Sequence, residues 1–177
     1  MQKPIGIFYG STSGDTEKVA FLIYDKFGDK LADIYNVGQA KADEVDHYPY
    51  LIFGSSTWGI GETQNDMEYF IRNLKEKNLK NKLIALFGLG NQQLYPHSFV
   101  DSIGHIYYRL QNSGARFVGQ WPIEDYDFLR SQALINGAFI GLSIDFLNQK
   151  DDISSILNKW VEILKVHFKI SNIAYVQ

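Results

Sequence analysis

Six consecutive residues near the amino end, Ser11, Thr12, Ser13, Gly14, Asp15 and Thr16, carry four hydroxyls and no cation. They follow an apolar run at 5–9 and lead into a segment with Val19, Leu22, Ile23 and Phe27 on one helical face. A loop that joins a strand to a helix N-terminus aims backbone N–H groups and hydroxyls at one point, where the helix dipole favours negative charge. Gly14 gives the backbone freedom close to such a ligand. The chemistry is anion binding, because an ordinary capped helix start needs one hydroxyl, not four. Asp15 stands where a triphosphate P-loop needs its lysine, and no G-x-G-x-x-G fingerprint is present. The expected anion is a single phosphate monoester, held by dipoles rather than by charge.

Two later stretches have a similar character. Gly54-Ser55-Ser56-Thr57-Trp58-Gly59-Ile60-Gly61 and Gly88-Leu89-Gly90-Asn91-Gln92-Gln93-Leu94-Tyr95 are rich in glycine and polar residues. Each carries an aromatic residue that its own loop cannot bury. Two rings on separate loops beside a phosphate site can sandwich a flat ligand, each stack contributing about 1–3 kcal/mol for a base-like ring. The bland reading makes Trp58 and Tyr95 local packing plugs; their place beside a phosphate loop favours the sandwich.

The three loops meet only if the strands before them share one sheet. Apolar runs at 5–9, 50–53 and 83–87 end at these loops. Helical periods follow: Met67, Phe70, Ile71 and Leu74, then Phe99, Ile103, Ile106, Tyr107 and Leu110, with Gly114 as a stop. A weaker strand is expected at 31–36 and a short helix at 40–46. A fifth strand begins at 117–118, gives way to a polar stretch at 121–137 and resumes at 139–142. Ile153, Ile156, Leu157, Trp160, Leu164 and Phe168 mark a last helix. The alternation predicts one α/β domain over 1–177, with five parallel strands, five helices and right-handed crossovers. In such sheets the ligand sits beyond the carboxyl ends of the strands, at the switch point.

Composition removes other chemistries. The 177-residue chain has no cysteine, which excludes disulfides, thiolate catalysis, Cys-ligated zinc and iron–sulfur clusters. His47, His97, His105 and His167 lack metal-ligand spacing, so no metal is expected. A net charge of −3 with no basic run argues against nucleic acid. With no signal pattern and no apolar run of about eighteen residues, a cytoplasmic protein without a membrane segment is expected. The stretch 54–58 is not G-x-S-x-G, so no hydrolase elbow is present. A signalling receiver needs acidic residues after strand 1 and an Asp ending strand 3; Gly10-Ser11 and Gly54-Ser55 stand there instead.

As an ordered set, Ser11-Thr12-Ser13-Gly14-Asp15-Thr16-Glu17, Ser56-Thr57-Trp58-Gly59-Ile60-Gly61-Glu62, and Gly90-Asn91-Gln92 with Tyr95 resemble the three FMN-binding loops of the flavodoxins. Asp125-Tyr126-Asp127-Phe128 and Asn136-Gly137-Ala138-Phe139-Ile140-Gly141-Leu142 are similar to the insertion within strand 5 of the long-chain type. The resemblance implies a three-layer α/β/α sandwich around a five-stranded parallel sheet of order 2-1-3-4-5, with strand 5 interrupted at 120–137. It implies noncovalent FMN and a low-potential one-electron carrier, a monomer without substrate turnover of its own. Such a carrier shuttles between a reductase-type donor and acceptor redox proteins through a stabilised neutral semiquinone. By position, Ser11, Thr12, Ser13, Gly14, Asp15 and Thr16 take the phosphate, and Trp58 and Tyr95 flank the isoalloxazine. Ser56, Thr57, Gly59, Ile60 and Gly61 complete the second loop, and the backbone of Gly90, Asn91 and Gln92 meets the pyrimidine edge. An FMN-dependent NAD(P)H:quinone reductase is the alternative of a different class. It needs a second pocket over the ring, whereas Trp58 and Tyr95 are expected to close both faces.

The phosphate carries about two negative charges, and no lysine or arginine is expected to neutralise it. In the family, the peptide after the tryptophan turns its carbonyl toward flavin N5 after one electron is taken up. Here that peptide joins Gly59 to Ile60, and the flipped turn needs a positive φ that glycine supplies. The sequence also departs from the family. A charge of −3 is far less acidic than usual, Asn91 replaces a common Asp, Asp125 replaces a usual glycine, and Phe146-Leu147 occupy positions that are often acidic. These departures imply a less extreme low potential, weaker steering toward basic partners, and an apolar docking face at Trp58, Phe146 and Leu147. Asp15 is expected to point outward. The tail 169–177, with Ile170, Ile173, Tyr175 and Val176, has no assigned role.

Overall fold

The apolar run at 5–9 forms β1 (Ile5–Gly10), buried throughout, as befits a strand covered on both faces. The computed structural model describes residues 2–74, 79–149 and 152–170. Helix α1 (Asp15–Phe27) packs through Val19, Ala20, Ile23 and Phe27. Strand β2 (Ala32–Asn36) then pairs parallel to β1. The short helix is a 3-10 segment, Ala42–His47. Strand β3 (Tyr50–Trp58) runs well past the apolar stretch at 50–53 and folds back antiparallel onto β4 (Glu62–Thr63). Helix α2 (Asn65–Leu74), strand β5 (Leu83–Leu89) and helix α3 (Asp101–Leu110) follow.

The fifth strand of the sheet is split. Strand β6 (Arg116–Val118) pairs with the first half of β5. The chain then leaves the sheet through β7 (Leu134–Ile135) and β8 (Ala138–Phe139), a hairpin, and returns as β9 (Leu142–Ile144) beside the second half of β5. The return comes at Leu142 rather than at 139. Asn136 and Gly137 both have positive φ, 52° and 86°, the pattern of a two-residue type I′ hairpin turn. Phe139 therefore pairs with Leu134 and bridges to Trp121 instead of entering the sheet. The excursion is anchored by rings: Tyr126, Phe128 and Phe139 gather around Phe99 with centroids 5.6, 5.8 and 5.8 Å away. Helix α4 (Ile153–His167) is capped by the Asp152 carboxylate, which accepts from the Ser155 N–H.

The order β2-β1-β3-β5-β6, with β9 also on β5, is the expected 2-1-3-4-5 once the short β4 is set aside. Helices α1 and α4 pack together, as do α2 and α3, giving three layers. Ile173, Tyr175 and Val176 lie outside the described residues. No described helix is long and apolar enough to cross a membrane. Register is what serves the site: Gly10, Ser55, Gly88 and Ser143 stand side by side on β1, β3, β5 and β9. The carboxyl ends of these strands therefore finish along one edge.

Candidate functional site

The loop after β1 ends in a helix start with no side-chain cap. Gly14 occupies the N-cap at φ 97°, its own N–H donates to Ser11 Oγ at 3.1 Å, and no side-chain oxygen accepts from the first turn of α1. The N–H groups of the first turn are thus left for an outside acceptor. Ser13 and Asp15 are exposed and line the cleft next to this turn, whereas Thr16 is buried beneath it. Thr12 Oγ1 accepts from Gln64 Nε2 at 3.3 Å. Gln64, which the sequence did not single out, is buried at the start of α2 and ties the first loop to the second.

The loop after β3 is a tight turn. Gly61 N–H donates to Trp58 O at 3.1 Å, with Gly59 at φ 52° and Ile60 outside the positive-φ region. That sign pattern is a type II′ turn, and it meets the requirement that Gly59 supply a positive φ. Trp58 Nε1–H donates to Ser56 Oγ at 2.8 Å, which fixes the indole. Thr57 turns its hydroxyl inward to Ser102 on α3, at 3.1 Å. Ile60 projects into solvent, 94% exposed. Gly61 is buried against Asp101, a carboxyl pushed up from its ordinary range by burial although Gln132 N–H donates to it at 2.7 Å.

The loop after β5 is held from within. Asn91 Oδ1 accepts from the N–H groups of Gln93 and Leu94 at 3.1 and 2.9 Å, and Asn91 O accepts from Tyr95 N–H at 2.9 Å. Gln92 is buried away from the cleft. Its N–H donates to Asp145, and its Oε1 accepts from Asp127 N–H at 2.6 Å.

One cleft of about 280 Å³ gathers Ser13, Asp15, Ser56, Thr57, Trp58, Gly59, Gly90, Asn91 and Tyr95 from the three loops. Ser11, Thr12, Gly14, Thr16, Ile60, Gly61 and Gln92 support or flank it rather than line it. Trp58 and Tyr95 are 43% and 50% exposed. Leu89, Asp145, Phe146 and Leu147 also line the cleft. Asp145 was not foreseen, because an expected strand at 139–142 leaves residue 145 beyond the sheet; with β9 at Leu142–Ile144 it falls beside the cleft. Lys18 brings a cation near this wall, its Nζ 5.8 Å from the Phe146 ring centroid. Outside the cleft lining, Tyr9 donates to Glu17 at 2.7 Å, and burial and that carboxylate push the phenol up to about 12. Among the described residues no group of three or more His, Asp or Glu could hold a metal.

The flavodoxin family model matches residues 7–160. The chain belongs to the flavodoxin family. It is 41% identical over 168 residues to the flavodoxin of a Nostoc species, covering 95% of this chain and 99% of that one. It is 40% identical over 167 residues to a Buchnera aphidicola flavodoxin, covering 94% and 98%. The Fusobacterium nucleatum flavodoxin bound to flavin mononucleotide superposes with a TM-score of 0.88 at 26% identity, over 94% of this chain and 99% of that one.

Proposed function

We propose that this flavodoxin-family chain binds FMN noncovalently and carries electrons singly between a reductase-type donor and acceptor redox proteins, with no substrate turnover of its own. The observation that carries this reading is a single cleft with an uncapped helix start at one end and two half-exposed rings from separate loops on its walls. These residues fit FMN. The N–H groups at the α1 start, with Ser11, Thr12, Ser13 and Thr16 around them, suit a phosphate. Trp58 and Tyr95 suit the faces of the isoalloxazine, and the backbone of Gly90 and Asn91 suits its polar edge. Bound FMN supplies chemistry that can stop after one electron.

The chain's own part is to hold a proton at that stage. The Gly59 carbonyl is the proposed acceptor for the ring N–H, and the II′ turn is the conformation that presents it. The Cβ of an alanine at position 59 comes nearest to the Glu62 carboxylate, the movable end of a flexible side chain, so its main cost is the positive φ. Stepwise anaerobic reduction of the FMN-loaded protein is expected to resolve two one-electron steps. Gly59→Ala lowers the potential of the first step by about 40 mV, the equivalent of one hydrogen bond of about 1 kcal/mol, and narrows the separation by at least that much. An unchanged separation would reject Gly59 as acceptor. Steady-state NADPH oxidation by a quinone without added reductase is expected to stay at background; turnover would favour the enzyme alternative.

The partner surface is proposed to be the rim of the same cleft. Ile60, Leu94 and Leu147 are 94%, 70% and 80% exposed there, and Phe146 and Leu147 add no charge. An apolar rim predicts association that changes little with salt, unlike docking steered by carboxylates. Leu147→Asp, assayed with FMN at saturation because Leu147 also lines the cleft, is expected to slow reduction by a flavodoxin reductase several-fold. Unchanged reduction kinetics would move the docking face elsewhere.

A further inference from the structure

Asp145 follows β9 and is 1% exposed. A buried carboxylate is costly unless its oxygens are fully used. None of the ion pairs among the described residues includes it. Its partners are N–H donors from two loops. Oδ2 accepts from Gln92 N–H at 2.9 Å, across 53 positions of chain. Oδ1 accepts from the N–H groups of Leu147 and Asn148, each at 3.1 Å. The Asn148 side-chain amide donates to both carboxylate oxygens, at 3.0 and 2.9 Å, and also to Asn91 Oδ1, at 3.1 Å. The sheet itself stops short of this point. The Gly90 N–H to Ile144 O bond, 3.0 Å, is the last backbone rung between the two segments.

We infer that Asp145 is the positioning residue of the ring-side loop: its carboxylate, with the Asn148 amide, latches Asn91 and Gln92 to the end of β9. The inference rests on the proposal that the loop after β5 seats the flavin ring. Without the latch, the segment between Gly90 and Tyr95 has its own Asx-type bonds through Asn91 but no tie to β9 beyond the last rung. Tyr95 would then be carried by a loop tied to Asp127 through Gln92 and to Leu129 and Arg130 through Pro96 but no longer fixed against β9, and a sandwich needs its second wall in place. The two halves of the carboxylate have separate tasks. Oδ1 shapes the local turn through Leu147 and Asn148, whereas Oδ2 reaches across to the other loop.

Asp145→Asn separates these tasks. Its Oδ1 still serves the local turn, but its amide faces the Gln92 N–H as donor to donor. The first readout is backbone amide hydrogen exchange in the apoprotein, which needs no cofactor. Exchange at Gln92 is expected to accelerate roughly ten-fold or more, as befits loss of a bond to a charged acceptor. Exchange at Leu147 and Asn148 stays near the native rate. The second readout is FMN affinity by fluorescence titration, expected to fall roughly ten-fold because the ring's seat is no longer fixed. Native exchange at Gln92 in the variant overturns the latch. Faster exchange at Gln92 with native FMN affinity leaves the latch standing as a contact but overturns its positioning role, without bearing on whether the ring sits on this loop. Asn148→Ala is the second variant and leaves the carboxylate in place. A several-fold loss of FMN affinity supports the latch, and unchanged affinity counts against it.

Discussion

Trp58→Ala and Tyr95→Ala each weaken FMN binding by roughly ten-fold or more, and the double variant by close to the product. Ring stacking on a flat base is worth about 1–3 kcal/mol per aromatic side chain, and about 1.4 kcal/mol is one decade of affinity. The apoprotein bears little of the loss. The indole is 43% exposed and the phenol 50%, and the aromatic pairs of the core are built from other rings. A packing plug would behave in the opposite way, with apoprotein stability falling and FMN affinity following only indirectly. Apoprotein unfolding and FMN titration on the same variants separate the two. The indole should also matter spectroscopically. It is an electron-rich ring held by the Ser56 hydroxyl, so bound flavin emission is quenched in the native protein and partly recovered in Trp58→Ala.

Riboflavin binds on the order of 10²- to 10⁴-fold more weakly than FMN, because it lacks the group that the α1 start receives. Two contacts to a charged acceptor, at about 1.5–3 kcal/mol each, supply that range. On the proposed placement the anion is held by dipoles at the helix start, and the loop itself contributes no basic side chain. The discrimination should therefore survive added salt better than a lysine-based site would. It should also decline as pH falls through about 6, where the phosphate monoester dianion takes up a proton and becomes a monoanion. Gly14→Val tests the cradle directly. Gly14 is at φ 97° and a Cβ there meets nothing within 4 Å, so the added Cβ brings no clash and its cost falls on the backbone conformation. A left-handed geometry costs an L-residue about 1–2 kcal/mol, and a branched one resists it further. Relaxing that angle turns the N–H groups away from their common point. Gly14→Val is expected to remove most of the preference for FMN over riboflavin while leaving riboflavin affinity near native.

The parts of this molecule legible in the sequence are those whose physics is local. A buried parallel strand is an apolar run, and a hydroxyl-rich loop with a glycine marks the turn into an amphipathic helix. So β1, the first loop and α1 could be read directly, and likewise the glycine demanded after Trp58. The strand-5 return was harder. Phe139 is apolar enough to belong to the sheet, and only the Asn136-Gly137 pair shows that it turns back into a hairpin. That shift of three residues, from 139 to Leu142, also hid Asp145. Gln92 illustrates the other limit. In sequence it belongs with Gly90 and Asn91, but its burial depends on Asp145 and Asp127, both far along the chain. Thr57 behaves the same way, since its inward turn is set by Ser102 on α3. No local pattern marks such partners.

A crystal structure of this chain grown with FMN decides this placement. The phosphate is expected within hydrogen-bond distance of the N–H groups at the start of α1, and the isoalloxazine between the Trp58 indole and the Tyr95 phenol. A ring bound outside those two side chains, or a phosphate away from the Ser11-to-Thr16 loop, would contradict it.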